Sequence, residues 1–342
     1  MADKAARITG VGFAVPDQIR TNDDPVFDWI RTHSTSHSDL FQGIERRRVL
    51  APDETLAGLM TAAAQRALAD AGLEARDVDL LIGGGSVSDY VTPNTLVQLH
   101  RDLGLPARCQ ALPIGTEFTT FNDGLVLSEA LIRTGRGLRN ALVVCGCNWS
   151  RHVSYREAPC IGSADGAGAA VIAVTDDQDR FALVDVVTDT DTSFYGAIHV
   201  APRDAGEAGE AGEVDPTPPH SPRLYTAPLM HFGAAAAKSF HEFGMTVPPR
   251  TVDRLLRRNR VSPDRITLIS HQATTVLSDA WAAAIRPAQY LTTLADYANM
   301  TLASVPVTLA ARYGEIDQDN LVLLTIGVQQ QTSAVLLRRR HA

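Results

Sequence analysis

The 342-residue chain carries 31 Lys and Arg against 39 Asp and Glu, a formal net charge of -8 with a pI near 5.7, which leaves no basic face of the kind a nucleic-acid partner demands. With 45% hydrophobic and 20% charged residues it can build a full core, and it is long enough for two fused half-domains or one large α/β unit. No apolar run approaches the roughly 18 residues of a membrane span, and Met1-Ala-Asp-Lys-Ala-Ala-Arg7 lacks the apolar core of a signal peptide, so the expected location is the cytoplasm.

A helix is predicted from Thr55 to Ala71: Leu56, Leu59, Met60, Ala63 and Leu68 share one face, Asp53-Glu54 signals the start and Gly72 the end. Val78-Asp-Leu-Leu-Ile82 reads as a strand closed by Gly83-Gly-Gly85. Helices follow at about 95–103 and 124–134, and strands at Ala141–Cys145 and Ala167–Val174. This alternation implies a mostly parallel sheet covered on both faces. Cys109, Cys145, Cys147 and Cys160 form no zinc or disulfide pattern and read as small buried hydrophobes. The stretch from Arg203 to Arg223, with Gly-Glu-Ala repeats and Pro216, Pro218, Pro219 and Pro222, is too polar to bury itself. It reads as a mobile surface loop, or a lid if it closes over a ligand.

The second half echoes the first. Val261–Ile269 repeats the charged turn and short apolar strand of Leu73–Leu81, Asn320–Leu324 matches Asn140–Val144, and Thr332–Leu337 matches Gly168–Ala173. Three echoes in one order suggest an internal duplication, divided here into 1–175 and 176–342.

Two segments carry a family resemblance. Ile266-Thr-Leu-Ile-Ser-His-Gln-Ala273 and Tyr297-Ala-Asn-Met-Thr-Leu-Ala-Ser-Val-Pro306 resemble the HQA and GN-x-x-x-AS-x-P motifs of ketoacyl-ACP synthase III, in the thiolase superfamily. Ile8–Pro16, Arg20-Thr-Asn22, Gly43–Arg48, Pro93–Gln98 and the DGAGA turn at Ala164–Ala169 match further family segments in order. The resemblance implies a thiolase-like α/β fold: duplicated βαβαβαββ halves in a five-layered αβαβα arrangement. It also implies a homodimer whose site is completed across the two-fold by the segment matching Tyr90-Val-Thr-Pro93. His271 and Asn299 become the catalytic pair, two donors that converge on a thioester oxygen and stabilise an enolate or tetrahedral oxyanion. The imidazole could alternatively accept a proton from an incoming hydroxyl or amine.

The family's cysteine sits at the start of a buried helix in a pattern like A-A-C-x-G-F. The matching stretch here is Thr120-Phe-Asn-Asp-Gly-Leu125, which puts Asn122 at the nucleophile position. An amide cannot attack a thioester as a thiolate does. What remains is a backbone N–H and an amide at a helix start, or a plain N-cap. Glu117, Thr119 and Thr120 lie just upstream, and a threonine nucleophile would need a geometry the family does not provide. Gly124 is expected to admit a neighbouring backbone. The family's GGGF segment is replaced by Gly327-Val-Gln-Gln-Gln-Thr332. Thr32–Asp39 replaces the region where primary-metabolism members carry a Trp and an Arg that grip coenzyme A; His33 and His37 within it read as solvated, not as metal ligands. Arg46-Arg-Arg48 could attract a phosphopantetheine or an acidic carrier helix, or be a solvated face.

The resulting expectation is an acyltransferase of specialised metabolism. It would move an acyl group from a carrier-protein or coenzyme A thioester to a small-molecule acceptor without a cysteine acyl-enzyme, cofactor or metal. His271, Asn299 and Asn122 are its expected catalytic residues, and Thr120, Phe121, Gln329, Gln330, Phe232 and Thr92 its substrate-binding ones. One alternative is a malonyl-type thioester decarboxylase, which needs the His and Asn but no thiol. Another is a non-catalytic partner subunit of a condensing enzyme, disfavoured because both His271 and Asn299 are kept.

Overall fold

The computed structural model describes residues 5–34, 40–90, 92–135, 137–202, 228–328 and 330–340. The expected loop at 203–223, His37 and Gln329 lie outside them. The first half contains β1 (Ala5–Ala14), β2 (Ile19–Thr21), α1 (Asp28–His33), β3 (Arg46–Arg48), α2 (Leu56–Ala71), β4 (Leu80–Gly85), α3 (Thr95–Asp102), β5 (Gln110–Pro113), α4 (Thr120–Arg133), β6 (Asn140–Asn148) and β7 (Asp165–Thr175). After it come β8 (Ala182–Thr190), β9 (Ile198–Pro202), β10 (Pro228–Phe232), α5 (Ala236–Ser239), α6 (Val247–Asn259), β11 (Ile266–Ser270), α7 (Thr275–Ile285), β12 (Gln289–Leu291), α8 (Leu294–Tyr297), α9 (Ser304–Arg312), β13 (Asn320–Gly327) and β14 (Gln331–Arg338).

Ten strands hydrogen-bond in the order β12-β11-β13-β14-β8-β1-β7-β6-β4-β5. The order is pinched in the middle, where β1 meets β8 through the single pair Arg7–Ala182. On either side lie five strands of matching order and direction. β4 runs parallel to β5 and β6 as β11 does to β12 and β13, while β7 and β1, like β14 and β8, return antiparallel. The sheet is therefore mixed rather than mostly parallel. The reason lies in the connections: β6 reaches β7, and β13 reaches β14, without the crossover helix that a parallel neighbour requires.

Three apolar clusters separate five layers. α2 and α3 pack outside the first strand set through Leu59, Met60, Ala63, Leu96 and Leu99. α4 and α9 fill the middle, where Phe121, Leu125, Leu302, Val305 and Leu309 meet strands of both sets. α6 and α7 cover the other side with Val252, Leu255, Leu277 and Trp281. This is the thiolase arrangement. Local chemistry explains the predicted helix: Thr55 accepts the Gly58 N–H as its N-cap, and Gly72 ends it in the left-handed conformation at φ 65°. The contact of α2 with β1 depends on Gly12, where a β-carbon would come 2.4 Å from the Ala63 carbonyl. No helix among the described residues is long and apolar enough to cross a membrane.

Candidate active site

His271 follows β11 directly, and its backbone N–H still bonds to the Leu324 carbonyl of β13 at 2.7 Å. The ring is buried and stacks on Phe118, with centroids 5.3 Å apart and 26° between planes. Burial pushes its pKa down to about 4, against a hydrogen bond to the Thr301 backbone that works the other way. Nδ1 is buried without a partner. At neutral pH the ring is uncharged, so it offers one N–H donor and one lone pair.

Asn299 is fixed from both sides. Its N–H donates to the Gly162 carbonyl at 2.8 Å and its carbonyl accepts from Ala164 N–H at 3.1 Å, which ties it to the turn entering β7. Oδ1 accepts the Thr301 N–H at 2.9 Å, while Nδ2 finds no acceptor among the described residues. Ala298, where the family motif has glycine, sits at φ 53° and ψ -143°, a conformation costly for any residue with a β-carbon. Gln272 holds this corner to the histidine. Its Nε2 donates to the Ala298 carbonyl at 2.9 Å, and its Oε1 accepts from Thr293 N–H and Thr292 Oγ1, both at 3.0 Å. The HQA motif is thus a clamp joining the two donor-bearing segments.

The helices that meet here begin alike. A 3-10 turn over Glu117–Thr119 leads into α4, and another over Thr301–Ala303 leads into α9. Glu117 and Thr301 open these turns at φ 49° and 47°, left-handed values that a non-glycine residue rarely adopts, and the two turns pack against each other. The helical path of α4 therefore starts at Glu117, and Asn122 lies five residues inside it.

Asn122, expected at a helix start, therefore lies within the helix. Asn122 is fully buried, and its Nδ2 donates to the Leu323 and Ser333 carbonyls, each at 3.1 Å, and to Thr325 Oγ1 at 3.3 Å. Its amide is committed to β13 and β14, with Oδ1 buried and unpaired. Phe121 is likewise part of the middle core, so neither it nor Asn122 presents a surface to substrate. Thr120 is buried 3.4 Å from Thr116 Oγ1. Gln330 is also turned inward: its Oε1 accepts from Ser239 Oγ at 3.0 Å. Phe232 is half-buried at the end of β10, opposite Ile198, and Thr92 is exposed before a cis proline. What approaches Gly124 is the side chain of Val143, not a backbone.

The arginine run is structural. Arg47 is buried between Phe27 and Phe41, 4.6 and 5.2 Å from their ring centroids, and donates to Asn22 Oδ1 at 2.7 Å and to the Ile161 carbonyl. Arg46 pairs with Asp296, and Arg48 donates to the Pro16 carbonyl at 3.1 Å. Two residues that sequence reasoning passed over lie nearby. Trp29 is 40% exposed, His33 stacks on it at 4.4 Å, and the Arg156 guanidinium lies 5.5 Å from its ring. A Trp one turn before the divergent Thr32–Asp39 stretch was the available signal.

Burial suppresses every thiol: Cys109 is pushed up to about 11, Cys147 and Cys160 to about 12, and Cys145 further still. Cys147 bonds to the Ala164 carbonyl at 3.1 Å and accepts from Thr301 Oγ1. No group of three or more His, Cys, Asp or Glu among the described residues is arranged to hold a metal.

The two depressed histidines set an acid limit. His271 and His152 are both lowered by burial from 6.5 to about 4. Between those values the unfolded chain binds protons that the folded chain refuses, so stability falls as pH drops from about 6.5 toward 4. Thermal melts across this window should show the decline, with a shallower slope in His271→Gln; identical slopes would mean that the imidazole charges within the fold.

The model of the 3-oxoacyl-[acyl-carrier-protein] synthase III family matches residues 114–192. Beta-ketoacyl-[acyl-carrier-protein] synthase III of Thioalkalivibrio sulfidiphilus is 29% identical over 333 residues, covering 93% of this chain and 94% of that protein. The crystal structure of 3-oxoacyl-[acyl-carrier-protein] synthase III from Aquifex aeolicus superposes with a TM-score of 0.79 at 22% identity, over 98% of this chain and 100% of that one. The priming β-ketosynthase of the R1128 polyketide pathway gives 0.81 at 21% identity, over 99% and 98%.

Proposed function

We propose that the chain is a ketoacyl-ACP synthase III-like member of the thiolase superfamily, and that it moves an acyl group from a thioester to a small-molecule acceptor, in specialised metabolism, without a cysteine acyl-enzyme. One observation supports the reading: Gln272 ties the His271 segment to Ala298 beside Asn299, whose Nδ2 finds no acceptor among the described residues, while every cysteine is buried and held protonated. Such a site can stabilise the oxyanion of a thioester under attack but has no thiolate to attack it. The same donors would stabilise the enolate left by a malonyl thioester, which makes decarboxylation the second reading.

The proposed donor is an acyl-coenzyme A. Trp29 and Arg156 are the two residue types with which the family's primary-metabolism members grip coenzyme A, and an exposed indole beside a guanidinium suits a flat purine. A second copy of the chain would cover the exposed Tyr90 and Val97 near Thr92 and complete the site. Trp29→Ala should weaken hexanoyl-CoA binding by about 1 kcal/mol, roughly fivefold in Kd, measured by titration calorimetry. An unchanged Kd would move the donor to a carrier-protein thioester. Intact-mass analysis after incubation with hexanoyl-CoA should show no acylated protein; a stable adduct on any cysteine would defeat the proposal.

A further inference from the structure

We propose that Glu117 is the proton acceptor for the incoming nucleophile, a role that rests on the thioester-transfer reading above. The site has two donors but no evident base. His271 is neutral, and burial pushes its pKa down to about 4, which makes it a weak proton acceptor. Glu117 occupies the opening of the helical path that leads into α4, in a left-handed conformation that Thr301 shares at the equivalent turn of the second half. Its neighbour Phe118 carries the ring against which His271 lies. The carboxyl group is half-buried and makes no hydrogen bond or ion pair among the described residues. Burial alone raises its pKa, which brings its basicity toward neutrality.

Among the described residues, the charged groups on the elements packed against this turn are each engaged elsewhere. Of the elements packed on this turn, the 3-10 turn at Thr301–Ala303 and β13 carry no charged residue. On α4, Asp123 accepts from Thr119 Oγ1 at 2.8 Å, and Glu129 pairs with Arg133. On β14, Arg338 at the far end donates to Asn320. Across the site His271 is uncharged. A half-buried carboxyl kept without a partner is a cost that a structural role does not explain.

In the step, an acceptor O–H or N–H attacks the thioester carbonyl carbon as its proton passes to a Glu117 oxygen. His271 and Asn299 hold the oxyanion. Collapse breaks the C–S bond, and the proton passes from Glu117 to the departing thiolate, which gives free thiol, acylated acceptor and the original carboxylate.

The test uses the full chain, hexanoyl-CoA, and thiol release with two nucleophiles: water, which needs a base, and hydroxylamine, which attacks without one. Glu117→Gln should cut hydrolysis by ~10²-fold or more but lower hydroxylaminolysis far less, and Glu117→Asp should recover part of the loss. Because a raised folded pKa makes the carboxylate destabilising as pH rises, Glu117→Gln should also melt above the wild type at pH 8 and near it at pH 4. Unchanged hydrolysis, equal losses with both nucleophiles, or a variant less stable at both pH values would overturn the role of Glu117. A wild type inert with both nucleophiles would overturn the transfer reading itself.

Discussion

Thioester turnover falls by ~10²–10³-fold in His271→Ala, and by a similar factor in Asn299→Ala, with little change in acyl-CoA affinity. The size of the effect follows from the construction of the corner. His271 is buried and neutral, so its N–H meets a developing oxyanion without first shedding water. Nδ2 of Asn299 is aimed by the Oδ1 bond to Thr301 and by backbone bonds to Gly162 and Ala164, so little reorganisation is left for the reaction to supply. Steady-state kinetics with calorimetric affinities separates the two contributions. Full turnover in either variant would return the chain to the class of non-catalytic partner subunits.

Asn122→Ala does the opposite: it destabilises the fold by about 2–3 kcal/mol and leaves turnover per folded molecule nearly unchanged. The amide Nδ2 is the donor that reaches from α4 to the Leu323 carbonyl and Thr325 Oγ1, and removing it strands buried acceptors. Ser333 loses less, because Thr325 Oγ1 also donates to its carbonyl at 3.3 Å. Urea denaturation of the variant, with activity measured well below the midpoint, checks both halves of the expectation. A stable but inactive variant would restore Asn122 to the chemistry.

The burial of Asn122 inside the helical path shows where sequence pattern stops being informative. Thr120-Phe-Asn-Asp-Gly-Leu125 has the family's spacing between the key residue and a glycine, and Gly124 made the register persuasive. The structure starts the helical path earlier, at Glu117, through a left-handed residue that carries no glycine to announce it. By contrast the positions of His271 and Asn299 in the fold were legible, because one follows an apolar strand and the other precedes a helix inside a long motif. The helix at Leu56–Ala71 was legible for a similar reason: cap, periodicity and terminal glycine agree. Arg47 was not, since the phenylalanines that bury it come from Phe27 and Phe41, outside its own segment. Predicting a mostly parallel sheet failed because period-two patterns do not reveal that β7 and β14 return without a crossover helix.

On the proposed mechanism the chemistry sits at the start of the helical path beside His271, not at Asn122. Glu117→Cys and Asn122→Cys, each incubated with hexanoyl-CoA and examined by intact-mass spectrometry, test it most directly. A thiol at position 117 would stand at a helix start, where a thiolate is favoured, next to the ring that packs on His271. One at position 122 would face the Leu323 and Ser333 carbonyls in the core. The expected result is a hexanoyl adduct on Glu117→Cys and none on Asn122→Cys; an adduct on Asn122→Cys with an unmodified Glu117→Cys would contradict the account.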